Sequence, residues 1–137
     1  MNPVYMLDTN ICIYLMKRQP RGVFERFERC YVGDVVMSAV TLAELEYGVA
    51  ASGASRDHNR AALDALVEDI PPVPYDVAAA RAYGDVRLAS RERRRDALDK
   101  LIASHAIALG VTLVTNDAGD FGQYLGLKTE NWIDPQA

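Results

Sequence analysis

Four acidic residues stand at positions where a folded chain has to account for a carboxylate. Asp8 follows the short apolar run Pro3-Val4-Tyr5-Met6-Leu7, and Asp117 follows Val111-Thr112-Leu113-Val114 by way of Thr115-Asn116. Acids delivered at the C-terminal ends of buried strands are where parallel α/β sheets place their chemistry. Glu44 comes from the nearly all-apolar helical stretch from Ala39 to Ala51, and Asp99 from the stretch from Asp96 to Leu109, on one face with Ile102, Ala103 and Ala106. If consecutive strands cross over right-handedly, the sheet is parallel, its C-terminal edges share one rim, and these acids converge there. Carboxylates so close repel and raise one another's pKa values unless a divalent cation supplies the missing charge. Oxygen ligands without a Cys or His set select Mg2+ or Mn2+ over Zn2+. Such a cage suits phosphodiester hydrolysis by metal-activated water, with no protein nucleophile.

Each acid also has a plainer use. Asp8 at a strand-to-helix turn serves as a cap or turn former, and Thr9 or Asn10 can cap the same helix. The spacing of Glu44 with Val40, Tyr47, Gly48 and Ala51 predicts a buried or nearly buried carboxylate, which needs either a metal or an arginine partner. Gly48 beside it predicts close packing of another element. Asp96 as a cap with Asp99 three residues on would favour the positive end of the helix dipole. Asp120 competes with Asp117, since both lie beside the turn glycines Gly119 and Gly122.

The elements that must hold these residues follow from pattern. Beyond the two strands already named, Asp34 to Ser38 reads as a mostly buried strand and Leu127 to Trp132 as a short closing one. Helical spacing marks one or two turns after Asp8, an amphipathic segment from Gln19 to Cys30, a segment from Asp57 to Asp69, and one from Val77 toward Ser90 capped by Asp76. Ile70-Pro71-Pro72-Val73-Pro74-Tyr75 is confined to a connector or an edge strand, because proline donates nothing to a ladder. Gly110 stops the helix that begins near Asp96. His105 projects about 120° off the Asp99 face, which marks it as a core or surface histidine, and His58 falls at an exposed helix start with no role suggested.

A chain of 137 residues, half of them apolar, makes one domain over 1–137 and buries roughly two-thirds of its unfolded surface. Nineteen acidic against fifteen basic residues give a net charge of −4, which argues against an indiscriminate nucleic-acid coat. Seven of those fifteen basic residues fall between Arg81 and Lys100, Arg93-Arg94-Arg95 among them, and read as either a solvated face or a rim contacting RNA phosphates. Cys12 and Cys30 are too few for a disulfide framework or a zinc site and point to a reducing cytoplasm. No basic segment precedes an apolar run at the N-terminus, so no export is expected. The phosphate-binding loop, the dinucleotide turn and the nucleophile elbow are all absent from the sequence.

Leu7-Asp8-Thr9-Asn10, Ser38-Ala39-Val40-Thr41-Leu42-Ala43-Glu44-Leu45 with Gly48, Asp99-Lys100-Leu101-Ile102-Ala103 and Leu113-Val114-Thr115-Asn116-Asp117 occur in that order. Together they resemble the PIN-domain ribonucleases, most closely the VapC toxins of toxin–antitoxin modules, and the resemblance spans essentially the whole chain. It implies a three-layer α/β/α sandwich around a mainly parallel sheet. It implies an endoribonuclease toxin using Mg2+ or Mn2+, a structured RNA substrate with tRNA favoured, a homodimer, and a cognate antitoxin that blocks the site. By the family's motifs Asp8, Glu44 and Asp99 are the core metal ligands and Asp117 a fourth acid. Thr9, Asn10, Thr115 and Asn116 match polar motif positions that orient ligands or water. The alternatives are a catalytically inactive binding module of the same fold and a receiver-like phosphoacceptor domain. The latter lacks paired acids after the first strand and a lysine after a late one.

Overall fold

A computed structural model describes residues 2–90, 97–117, 121 and 124–133. The first strand, β1 (Tyr5–Leu7), pairs on both sides at once, in parallel with β2 (Val35–Ser38) and with β4 (Thr112–Val114). An outer strand lies beyond each neighbour: β3 (Pro72–Val73) beside β2 and β5 (Lys128–Glu130) beside β4. The order is β3-β2-β1-β4-β5, and every pairing is parallel. The proline-rich segment contributes only the edge strand expected of it, and it enters the ladder as an acceptor: the Met37 N–H donates to Pro71 O at 3.2 Å.

Because successive strand side chains point to opposite faces, each of the three central strands, β1, β2 and β4, feeds two cores. Leu7, Val35, Met37 and Val114 face α1 (Thr9–Lys17), α2 (Arg21–Glu28), α3 (Ala39–Ala50) and α4 (Arg56–Asp69), whose Ile11, Leu15, Val23, Leu45, Val49, Leu63 and Leu66 complete the first core. Met6, Val36 and Leu113 face α5 (Val77–Ala89) and α6 (Ala97–Leu109), which bring Val86, Ile102, Ala103 and Ala106. The result is the expected three-layer α/β/α sandwich. Asp76 caps α5 through Ala79 N–H at 3.0 Å, and Gly110 ends α6 at φ 75°, a left-handed conformation glycine adopts without penalty. Among the described residues no helix is long and apolar enough to cross a membrane.

Candidate active site

The chain runs β1 to β2 to β3 toward one edge of the sheet and then places β4 and β5 on the other side of β1, so strand order reverses at β1. Crevices at such a reversal, outside the carboxyl ends of the strands, are where open α/β sheets bind ligands. Asp8 stands there. Its N–H donates to Val114 O at 3.0 Å, extending the β1–β4 ladder by one bond. Its Oδ1 accepts the Ile11 N–H at 3.0 Å, so Asp8, rather than Thr9 or Asn10, caps α1. The cap does not use up the carboxylate, which has about four acceptor positions.

Asp8 is 6% exposed. Burial pushes its carboxyl pKa above the ordinary value, the Thr115 side chain and the Ile11 N–H pull it back down, and the charges of Asp117 and Glu44 push it up again. Three of the four predicted acids therefore share one electrostatic environment. Thr115, fully buried, ties two of them together: its hydroxyl bonds to Asp8, and its Oγ1 accepts the Asp117 N–H at 3.0 Å. The Thr115 N–H donates to Glu130 O at 2.9 Å, fixing the segment that leaves β4. Asp117 and Asn116 are exposed, and Asn116 Nδ2 donates to the Tyr14 hydroxyl at 3.3 Å.

Glu44 is half-buried, not buried as its helical spacing predicts. Val40 on the Glu44 face of α3 packs against the second core, but the rest of that face is open: Tyr47 is 74% exposed, and a Cβ on Gly48 would meet nothing within 4 Å, so the expected close packing at Gly48 is absent. That open face borders a groove of about 520 Å3 between α1, α3 and α4, lined by Glu44 and by Lys17, Gln19, His58 and Asn59 over an apolar floor. The Glu44 carboxylate accepts the Thr9 hydroxyl, which stands 3.5 Å from the buried Thr41 hydroxyl. The other acid of this helix, Glu46, is the one paired with an arginine: Arg60 Nη1 donates to Glu46 Oε2 at 3.0 Å.

Asp99 lies in the first turn of α6 and is half-buried, on a helix whose Ile102, Ala103 and Ala106 are fully buried. Lys100 beside it is 5% exposed and so is no part of a basic rim. Arg93, Arg94, Arg95, Asp96 and Asp120 lie outside the described residues. Among the described residues no group of three or more His, Cys, Asp or Glu side chains is close enough to hold a metal ion.

The donor chemistry nevertheless fits a hard divalent cation. Carboxylate and hydroxyl oxygens dominate, and a cation there would relieve the mutual charge of Asp8, Glu44 and Asp117. The one thiol nearby, Cys12, is fully buried and held protonated by burial and by the charge of Asp8, so it offers no soft ligand. Two residues join the site without a sequence signal: Thr41, whose hydroxyl backs Thr9, and His58, which lines the groove beside Glu44. Both depend on how α1, α3 and α4 meet, which no local pattern records.

A PIN-domain family model matches residues 5–124. The chain is 41% identical over 130 residues to the tRNA(fMet)-specific endonuclease VapC of Shigella flexneri, covering 93% of this chain and 97% of that protein. It is 35% identical to Ribonuclease VapC2 of Rickettsia felis, with 94% and 98% covered. The crystal structure of DNA-bound VapBC from Salmonella typhimurium contains a chain that matches with a TM-score of 0.85 at 32% identity, covering 95% of this chain and 98% of that one. This match leaves no place for the receiver-like alternative.

Proposed function

The chain belongs to the PIN-domain family, with VapC proteins as relatives over nearly its full length, and from that premise we propose that it is a Mg2+- or Mn2+-dependent endoribonuclease toxin. Its substrate is structured RNA, tRNA first among candidates. It acts as a homodimer and is held in check by a cognate antitoxin. The observation that carries the reading is the buried Asp8 at the reversal of strand order, with the charges of Glu44 and Asp117 acting on it. A buried acid surrounded by like charge costs stability, and a structural role needs only its Oδ1. The activities of the relatives, a tRNA(fMet)-specific endonuclease and a ribonuclease, support RNA as the substrate class. The VapBC complexes of relatives support an antitoxin partner.

Asp8, Glu44, Asp99 and Asp117 hold the ion or ions in this reading. When bound there, a divalent ion would supply a Lewis acid for activating water and for balancing charge on the phosphodiester oxygens. The protein's own part is placement. Thr9 orients the Glu44 carboxylate, and Thr115 orients Asp8 while holding the Asp117 backbone. Asn10 and Asn116, both exposed and beside the acids in sequence, are assigned in this reading to bond water or a substrate phosphate. Arg93, Arg94 and Arg95 supply phosphate contacts that position the RNA without reading its sequence.

Incubating the purified protein with total RNA, with and without EDTA, tests the reading. Cleavage that requires Mg2+ or Mn2+ and disappears in Asp8→Asn supports it. Full activity in EDTA or in that variant would sink it.

A further inference from the structure

Outside the acid centre, one buried polar network joins the helix of Asp99 to the helix of Glu44. His105 of α6 is 3% exposed, and its Nδ1 lies 2.8 Å from Ser38 Oγ, itself fully buried at the end of β2. Ser38 Oγ also accepts the Val40 N–H at 3.0 Å, which makes Ser38 the cap of α3. With one acceptor site of the hydroxyl committed to Val40, Ser38 Oγ still has a proton to give and a lone pair to offer, so it can pair with His105 Nδ1 in either ring tautomer. Tyr75 holds the other side of the ring edge-on, with centroids 5.4 Å apart, and its hydroxyl is 2.8 Å from Ser104 Oγ.

We propose that His105 is a positioning residue of the acid centre: through Ser38 it fixes α6, which carries Asp99, against the start of α3, which carries Glu44. The inference rests on the acid-centre reading of the function. The hydrogen bond lies six residues from each acid, about 9 Å of helix rise, so a slip or tilt at this joint moves both carboxylates. A leucine in place of His105 would pack against the same apolar neighbours without the cost of burying a polar ring, so the value of histidine here is the bond it makes. Burial lowers the pKa of His105 while the charge of Asp76 raises it, the net direction favouring the neutral ring.

The test compares wild type, His105→Leu and His105→Asn, the last placing an amide oxygen where Nδ1 was. One readout is Mn2+ affinity, with the metal alone as probe. The other is metal-free: a spin-label distance between Tyr47→Cys on α3 and Leu98→Cys on α6, both exposed, in a Cys30→Ser background. His105→Leu is expected to weaken Mn2+ binding about 10- to 100-fold and to broaden or shift the distance, while His105→Asn stays within about threefold of wild type. A folded His105→Leu protein with wild-type affinity and distance, or His105→Asn as impaired as leucine, overturns the proposal. Should wild type bind no Mn2+, the metal reading falls, and the distance alone decides the positioning role. Should His105→Leu not fold, His105→Phe, which keeps an aromatic ring beside Tyr75 but has no ring nitrogen and leaves the Ser38 cap of α3 intact, is judged by the same readouts.

Discussion

The side chains of Asp8 and Thr115 hydrogen bond to one another across neighbouring strand ends, Asp8 6% exposed and Thr115 fully buried. The hydroxyl favours the ionised carboxylate and so opposes the effect of burial. Thr115→Val removes that donor and raises the Asp8 pKa further. The acid limb of the pH–rate profile for RNA cleavage is expected to move to higher pH, and kcat/KM at neutral pH to fall about 10-fold or more, as for other residues that orient metal ligands. An acid limb that stays in place would remove Thr115 from the site.

Asp8→Asn is expected to separate activity from stability. Since the folded pKa of Asp8 is raised, its contribution to stability is full below its ordinary value of 3.8 and is lost as pH rises through the folded value. At neutral pH the ionised side chain therefore weighs against folding, whereas asparagine still caps a helix well. The variant should melt at or above the wild-type temperature while losing cleavage. Added Mg2+ or Mn2+ should raise the melting temperature of wild type and leave that of the variant unchanged, which a thermal scan in both conditions reads directly.

Replacing Arg93, Arg94 and Arg95 together by alanine is expected to weaken RNA binding in low salt and to flatten its salt dependence. The slope of log K against log salt should shrink by roughly 0.7 to 0.9 for each phosphate that is no longer neutralised. Divalent-metal binding should be unaffected. Anisotropy titrations at several salt concentrations decide it, and an unchanged slope returns the arginines to a solubilising face.

Leu7→Ala removes a fully buried side chain from the central strand, directly beneath Asp8. It should cost about 2–5 kcal/mol in denaturant unfolding, the range for large-to-small changes in a core that cannot collapse around the cavity. A cost below about 1 kcal/mol, the level expected of volume-conserving swaps, would mean that β1 is not the rigid mount inferred for the site.

Much of the fold is legible in the sequence because its signals are local. Apolar runs ended by Asp8 and Asp117, the proline-rich edge strand and the stop at Gly110 each depend on a few neighbouring residues, and each lies where expected. The gathering of Asp8, Glu44 and Asp117 is legible because a parallel sheet sends its strand ends to one rim. The burial of Glu44 is not, because helical periodicity counts apolar neighbours on a face without knowing whether anything packs on it. Here that face opens onto the groove beside Lys17 and His58. The pairing of His105 with Ser38, 67 residues apart, leaves no local trace at all.

The double duty of Asp8 has an evolutionary consequence. One oxygen starts α1 while the carboxylate as a whole anchors the proposed chemistry. Asparagine performs the first task and fails the second, and in the genetic code aspartate and asparagine differ by a single base. Loss of the proposed activity is thus a single-base step away in a protein that still folds.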